Sequence, residues 1–280
     1  MTHHRNDQPP TRIARLAALH RVDSWAPVIG AYALPALGAP DLIVVDGLRD
    51  AAGDDTGARA RLTAARATGA LVIAYLSVGT LEDWRPYASE VPPEWTFGPM
   101  PGWEGERFVD ARAEGWRRIM AREAAGLQEL GFDGLFLDNL DVADDHPQTQ
   151  DAIVELVEAI RAAAAESVLI AQNGLATIDR LPVDAISRED TWWRWEDGRY
   201  GASPPEETAE ILGALRRQRA RGLVVLTLDY TEPGHPEAEA IVQRSRAEGF
   251  VPAVSVLALD RAPHAPTRAA ARPRATGVDE

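Results

Sequence analysis

Gly131-Phe132-Asp133-Gly134-Leu135-Phe136-Leu137-Asp138 is a glycine, a short apolar run and a terminal acid, and the same unit recurs along the chain. Gly69 precedes the run 70–76, which ends at Ser77. Gly222 precedes 223–228 and Asp229, and Gly249 precedes 250–256. A glycine just past a helix can take the left-handed conformation that stops it, so each marks a passage from helix into strand. The runs behind are short and rich in β-branched or aromatic residues, as strands covered on both faces should be.

The segments between these runs read as helices. From Glu114 to Leu130, the positions Trp116, Ile119, Met120, Leu127 and Leu130 form one apolar stripe. Pro147 suits the first turn of a helix that buries Ile153, Leu156, Val157 and Ile160. Ser203 and Glu206 have capping-box spacing before Ile211, Leu212 and Leu215, and Pro236 opens a helix carrying Ile241 and Val242. Further strands at 28–32, 42–45, 168–171 and 185–187 bring the expected total to eight.

Such alternation permits a closed barrel or an open doubly wound sheet. No G-x-G-x-x-G follows the first strand, which disfavours the dinucleotide-binding version. The 280 residues are close to the roughly 250 of one barrel. The expectation is α/β: a single (β/α)8 TIM barrel over 21–260, with an N-terminal extension 1–20, a tail 261–280 and disorder at both ends.

Acidic residues outnumber basic ones 43 to 29, a formal net charge of −14. A duplex-binding protein needs clustered Lys and Arg, so nucleic acid is not an expected partner. No run of about 18 apolar residues exists to cross a membrane. The start of the chain lacks the apolar core of a signal peptide, so a cytoplasmic monomer is expected, or a secreted one if a leader has been trimmed. With no cysteine, thiolate metal sites and a thiol nucleophile are absent.

In a parallel barrel, reactive groups collect at the carboxyl ends of the strands. Those positions read Asp46, Ser77, Asp138, Asn173, Glu189 and Asp229, with Asp110 on the third loop. One such acid commonly caps a helix; several at one mouth raise one another's pKa, as an acid/base pair requires. Two carboxylates astride a glycosidic bond can protonate the leaving oxygen while attacking, or activating water at, the anomeric carbon. Asp138 and Glu189 are the candidates, with Asp141 close by. Arg188 should face away from the cavity by strand alternation and join a salt bridge in the helix layer.

Of the eight tryptophans, Trp192, Trp193 and Trp195 follow Glu189, while Trp84, Trp95 and Trp103 fall after the third strand. Flat rings at a barrel mouth suit sugar faces, and Trp192 and Trp193 are candidate substrate contacts, although any one of these rings can simply anchor a loop. No histidine lies at a strand end and no H-E-x-x-H occurs, so no metal or other cofactor is expected. Serine hydrolysis lacks a G-x-S-x-G elbow.

Val72-Ile-Ala-Tyr-Leu-Ser-Val-Gly79 with Trp84-Arg85, the block from Gly131 to Asp141, Asn173-Gly174 and Ser187-Arg-Glu189 together resemble the endo-α-1,4-polygalactosaminidase family of glycoside hydrolases. The likeness runs from about Trp25 to Leu259. It implies hydrolysis of an α-linked, galactosaminogalactan-like amino-sugar polymer, with Asp138 and Glu189 as the essential acids. It also implies sugar subsites lined by Tyr32, Asp46, Tyr75, Arg85, Asn173, Asp229 and Tyr230. A barrel that binds glycan without cleaving it, and a Mg²⁺-assisted lyase or aldolase using Asp138, Asp141 and Asp229, are the alternatives from other classes.

Overall fold

The computed structural model describes residues 10–30, 39–48 and 54–264. Eight parallel strands follow chain order: β1 (Trp25–Val28), β2 (Leu42–Asp46), β3 (Leu71–Ser77), β4 (Gly134–Asp138), β5 (Val168–Gln172), β6 (Ala185–Glu189), β7 (Val224–Tyr230) and β8 (Val251–Ser255). Among the described residues seven α-helices accompany them: α1 (Arg12–Leu19), α2 (Thr56–Arg66), α3 (Glu114–Leu130), α4 (Val142–Asp145), α5 (Gln150–Ala163), α6 (Pro205–Ala220) and α7 (Glu237–Ala247). β8 returns beside β1, where Trp25 Nε1 donates to the Val251 carbonyl at 3.1 Å, and this completes a (β/α)8 barrel.

Strand alternation divides the apolar residues into two layers. Trp25, Leu42, Val44, Ile73, Phe136, Ile170, Leu226 and Leu228 fill the barrel. Ile43, Val45, Val72, Leu135, Leu137, Leu169, Ile186 and Val225 face the helices. Asp138 and Glu189 share the parity of the inward residues of their strands, so both point into the mouth.

β1 begins three residues earlier than the expected 28–32, because Trp25 packs on Phe136 with ring centroids 6.2 Å apart. Pro147 opens a 3-10 turn ahead of α5 rather than α5 itself. The expected capping box does not form: Ser203 donates its hydroxyl hydrogen to the Asp190 carbonyl at 2.7 Å. α3 does stop at Gly131, whose φ of 107° is left-handed.

Part of the expected N-terminal extension is structural. Arg12 pairs with Asp184 at 2.6 Å, and buried Arg15 donates to the Glu166 carbonyl at 2.8 Å. Those partners immediately precede strands, so α1 lies across the end of the barrel opposite the mouth. The tail expected from 261 lies, from 265 onward, outside the described residues.

Two excursions rise at the mouth. After β3, the short strands Thr80–Glu82, Thr96–Pro99 and Glu106–Val109 form an antiparallel sheet. After β6, Trp193–Glu196 pairs with Arg199–Ala202 in a hairpin. Among the described residues, no helix is long and apolar enough to cross a membrane.

Candidate active site

A cavity of about 310 Å³ opens at the carboxyl ends of the strands, and Tyr75, Asp138, Asp141, Asn173, Glu189 and Tyr230 all line it. Only β5 separates β4 from β6, so the two backbones run about 10 Å apart and their inward side chains close part of that gap. Each of the two candidate acids is held by a tyrosine. Tyr75 donates its hydroxyl hydrogen to Asp138 Oδ2 at 2.9 Å, and the Tyr230 hydroxyl bonds Glu189 Oε1. A phenol both donates and accepts, so Tyr230 can face Glu189 in either protonation state.

Asn173 fixes the other side of Glu189. Its Nδ2 donates to Glu189 Oε2 at 2.8 Å and contacts Asp141 Oδ2 at 3.5 Å. Its Oδ1 accepts the Arg188 guanidinium at 2.8 Å. Arg188 therefore orients Asn173, and among the described residues it makes no carboxylate pair of the kind expected in the helix layer.

Burial and neighbouring charge raise the pKa of two of the carboxyls. Burial, then the charges of Glu189 and Asp141, hold the Asp138 pKa well above the ordinary aspartate range, opposed by the Tyr75 hydrogen bond. Burial and Glu189 push Asp141 up to about 6. Such shifts are what closely spaced acids in a dry pocket produce.

Several cavity residues were not singled out by sequence. Glu82 and Glu106 line the cavity across from Glu189, and burial raises the pKa of both. Arg85 holds Glu82 at 2.6 Å and also reaches Asp46 at 2.9 Å. Arg85 and Asp46 thus support the wall from behind rather than forming it. Asn139, left-handed at φ 61°, donates to Ser77 Oγ at 3.0 Å and Thr80 Oγ1 at 3.1 Å, tying β4 to the excursion after β3. Asn–Asp beside a strand end was the available signal, since Asn tolerates that backbone region.

Other sequence candidates lie elsewhere. β7 extends to Tyr230, so its inward parity falls on Leu226, Leu228 and Tyr230 and turns Asp229 outward. Asp229 is fully buried, and its Oδ1 accepts the backbone N–H groups of Trp192 at 2.6 Å and Trp193 at 2.9 Å. Asp229 is accordingly not among the residues that line the cavity with Asp138 and Asp141. Trp192 donates Nε1 to Ser245 Oγ at 2.8 Å, and Trp193 packs on His235 with centroids 5.2 Å apart; both anchor the turn against α7. Trp95 packs over Gly115. Trp84 and Trp103 line the cavity and are 47% and 46% exposed. Asp110 is paired with Arg112 at 2.7 Å ahead of α3. Tyr32 lies outside the described residues.

The chain and its fold have known relatives. An uncharacterized protein of Deinococcus radiodurans is 30% identical over 278 aligned residues, covering 90% of this chain and 86% of its own. The glycoside hydrolase domain of PelA from Pseudomonas aeruginosa superposes with a TM-score of 0.73 at 26% identity, over 86% of this chain and 98% of that domain. Aspergillus fumigatus Ega3, solved in complex with galactosamine, shares the fold with a TM-score of 0.68 at 15% identity, over 94% and 99%. A profile of the glycoside-hydrolase family GH114 matches residues 14–270, and the chain belongs to that family.

Proposed function

We propose that this glycoside hydrolase cleaves an α-linked, galactosamine-containing polymer, with Asp138 as nucleophile and Glu189 as proton donor. The observation that carries the reading is the shared cavity in which these two inward acids each engage a tyrosine hydroxyl. Asp138 Oδ forms a bond to the anomeric carbon as the glycosidic C–O bond breaks, and Glu189 gives its proton to the departing oxygen. Glu189, now a carboxylate, takes a proton from water as that water attacks the anomeric carbon and releases Asp138.

The amino-sugar assignment draws on the cavity's acidic wall. Glu82, paired with Arg85, and Glu106 line the same cavity as Tyr75 and Asp138, and the whole chain carries a net charge of −14. A polymer bearing free amines is cationic and is attracted to such a cleft. The galactosamine in the Ega3 complex belongs to a protein of the same fold.

The test is release of reducing ends from an α-1,4-galactosamine polymer, run beside its N-acetylated form and a panel of neutral glycans. Asp138→Asn and Glu189→Gln should each lower kcat by about a thousandfold or more while the fold persists. No product from any glycan, or activity surviving both substitutions, would overturn the reading.

A further inference from the structure

A second hollow of about 600 Å³ adjoins the cavity on the far side of Glu189. The two share Trp103, Glu189, Tyr230, Leu257 and Ala258, but Asp138 belongs to the first alone. On the proposed chemistry, the sugar attacked at its anomeric carbon must lie where Asp138 is. The sugar that departs must lie across Glu189, which protonates the oxygen between them. This fixes a direction for the chain: glycone in the first cavity, leaving sugar in the second.

The second hollow is built for a ring and a polar substituent. Trp195 stands in its wall on the hairpin after β6, 39% exposed, with Trp103 and Tyr200 completing an aromatic surround. Asp190 forms part of the same wall. Its backbone is left-handed at φ 56°, its N–H donates to the Leu228 carbonyl at 3.0 Å, and its carbonyl accepts Ser203. The carboxyl group has no hydrogen bond or ion pair among the described residues, and its Oδ1 is buried. An acceptor fixed by its backbone and left without a protein partner is available, through its accessible oxygen, to a donor on a bound ligand.

We infer that Trp195 and Asp190 form the leaving-group subsite, Trp195 stacking under the departing sugar and Asp190 accepting a hydrogen bond from its amine. This rests on the hydrolase reading above and deepens it. Burial, then the charge of Glu189, raises the Asp190 pKa to about 8, so an ammonium arriving beside it meets a carboxyl that gains by ionising. The hairpin is exposed and two-stranded, so Trp195 can be changed without opening the barrel core.

The experiment compares two substrates in the intact chain. One is a defined α-1,4-galactosamine oligomer; the other is the α-fluoride of a galactosamine trisaccharide, whose departing fluoride occupies no sugar subsite. Trp195→Ala should lower kcat/KM on the oligomer by about tenfold more than on the fluoride, and Trp195→Phe should recover most of the loss. Asp190→Asn should lower kcat/KM more for the free-amine oligomer than for its N-acetylated form. Equal losses on oligomer and fluoride, or no loss on the oligomer, would overturn the subsite while leaving the hydrolase reading in place. Failure of the unaltered chain to cleave either substrate would overturn both, and only that result touches the hydrolase reading.

Discussion

Asn173 grips Glu189 at both ends of the residue: Nδ2 donates to the Glu189 carboxylate at 2.8 Å, and Oδ1 accepts the Glu189 backbone N–H at 3.2 Å. The amide can do this because Asn173 leaves β5 in the left-handed conformation, φ 58°, which turns its side chain along the neighbouring strand end. Asn173→Asp keeps the size and tolerates the backbone, but it replaces a donor with an acceptor facing a carboxylate. The expected result is a fall in kcat of about a hundredfold with a smaller change in KM. Circular dichroism should show an unchanged fold. Activity within twofold of the unaltered chain would mean that Glu189 needs no such clamp.

Tyr75→Phe isolates the other acid. The Tyr75 hydroxyl donates to Asp138 and favours its ionised form, against the burial and negative neighbours that disfavour it. Without that hydroxyl the Asp138 pKa rises further. A nucleophile must be ionised, so the acid limb of kcat/KM should move to higher pH in the variant. An unmoved limb with reduced kcat would assign Tyr75 to substrate contact alone.

Asp141→Asn should act in the opposite direction. Asp141 contributes a negative charge that raises the Asp138 pKa, and burial with Glu189 pushes its own up to about 6. Neutralising it removes one like charge, so Asp138 ionises more readily and the acid limb moves to lower pH. Comparing the two variants in one buffer series checks both signs together. Movement in the same direction for both would contradict the electrostatic account.

The blocks that carry the chemistry were legible because they touch each other. Tyr75, Ser77 and Gly79 lie two residues apart along one strand end and meet, in turn, the Asp138 carboxylate, the Asn139 amide and the Asn139 carbonyl. A Cβ on Gly79 would sit 1.8 Å from that carbonyl oxygen, so the motif needs glycine there. The barrel was legible for a similar reason, since each glycine-to-strand junction repeats one local rule. What the sequence hid was reach. Whether Leu228 or Asp229 took the inward parity of β7 decided the face of Asp229, and a slip of one residue reverses it. Trp192, Trp193 and Trp195 look alike as letters, yet only the last escapes the helix layer, because two backbone bonds to Asp229 pull the first pair inward.

The outward turn of Asp229 has a consequence for stability. Burial raises its pKa to about 7 from an ordinary value of 3.8, although two backbone N–H groups oppose the rise. Between those values the unfolded chain has released the proton while the folded chain keeps it, so the folded state binds more protons and loses stability as pH climbs. The contribution is fully present below pH 3.8 and is gone above about pH 7. Asp229→Asn retains an oxygen for the Trp192 and Trp193 N–H groups and cannot ionise. Its stability relative to the unaltered chain should therefore be near parity at the acid end and improve steadily toward neutral pH, by a few kcal/mol at most, then level off. Urea unfolding across that range measures the difference directly, and a difference that does not vary with pH would show that Asp229 is already ionised in the fold at the acid end.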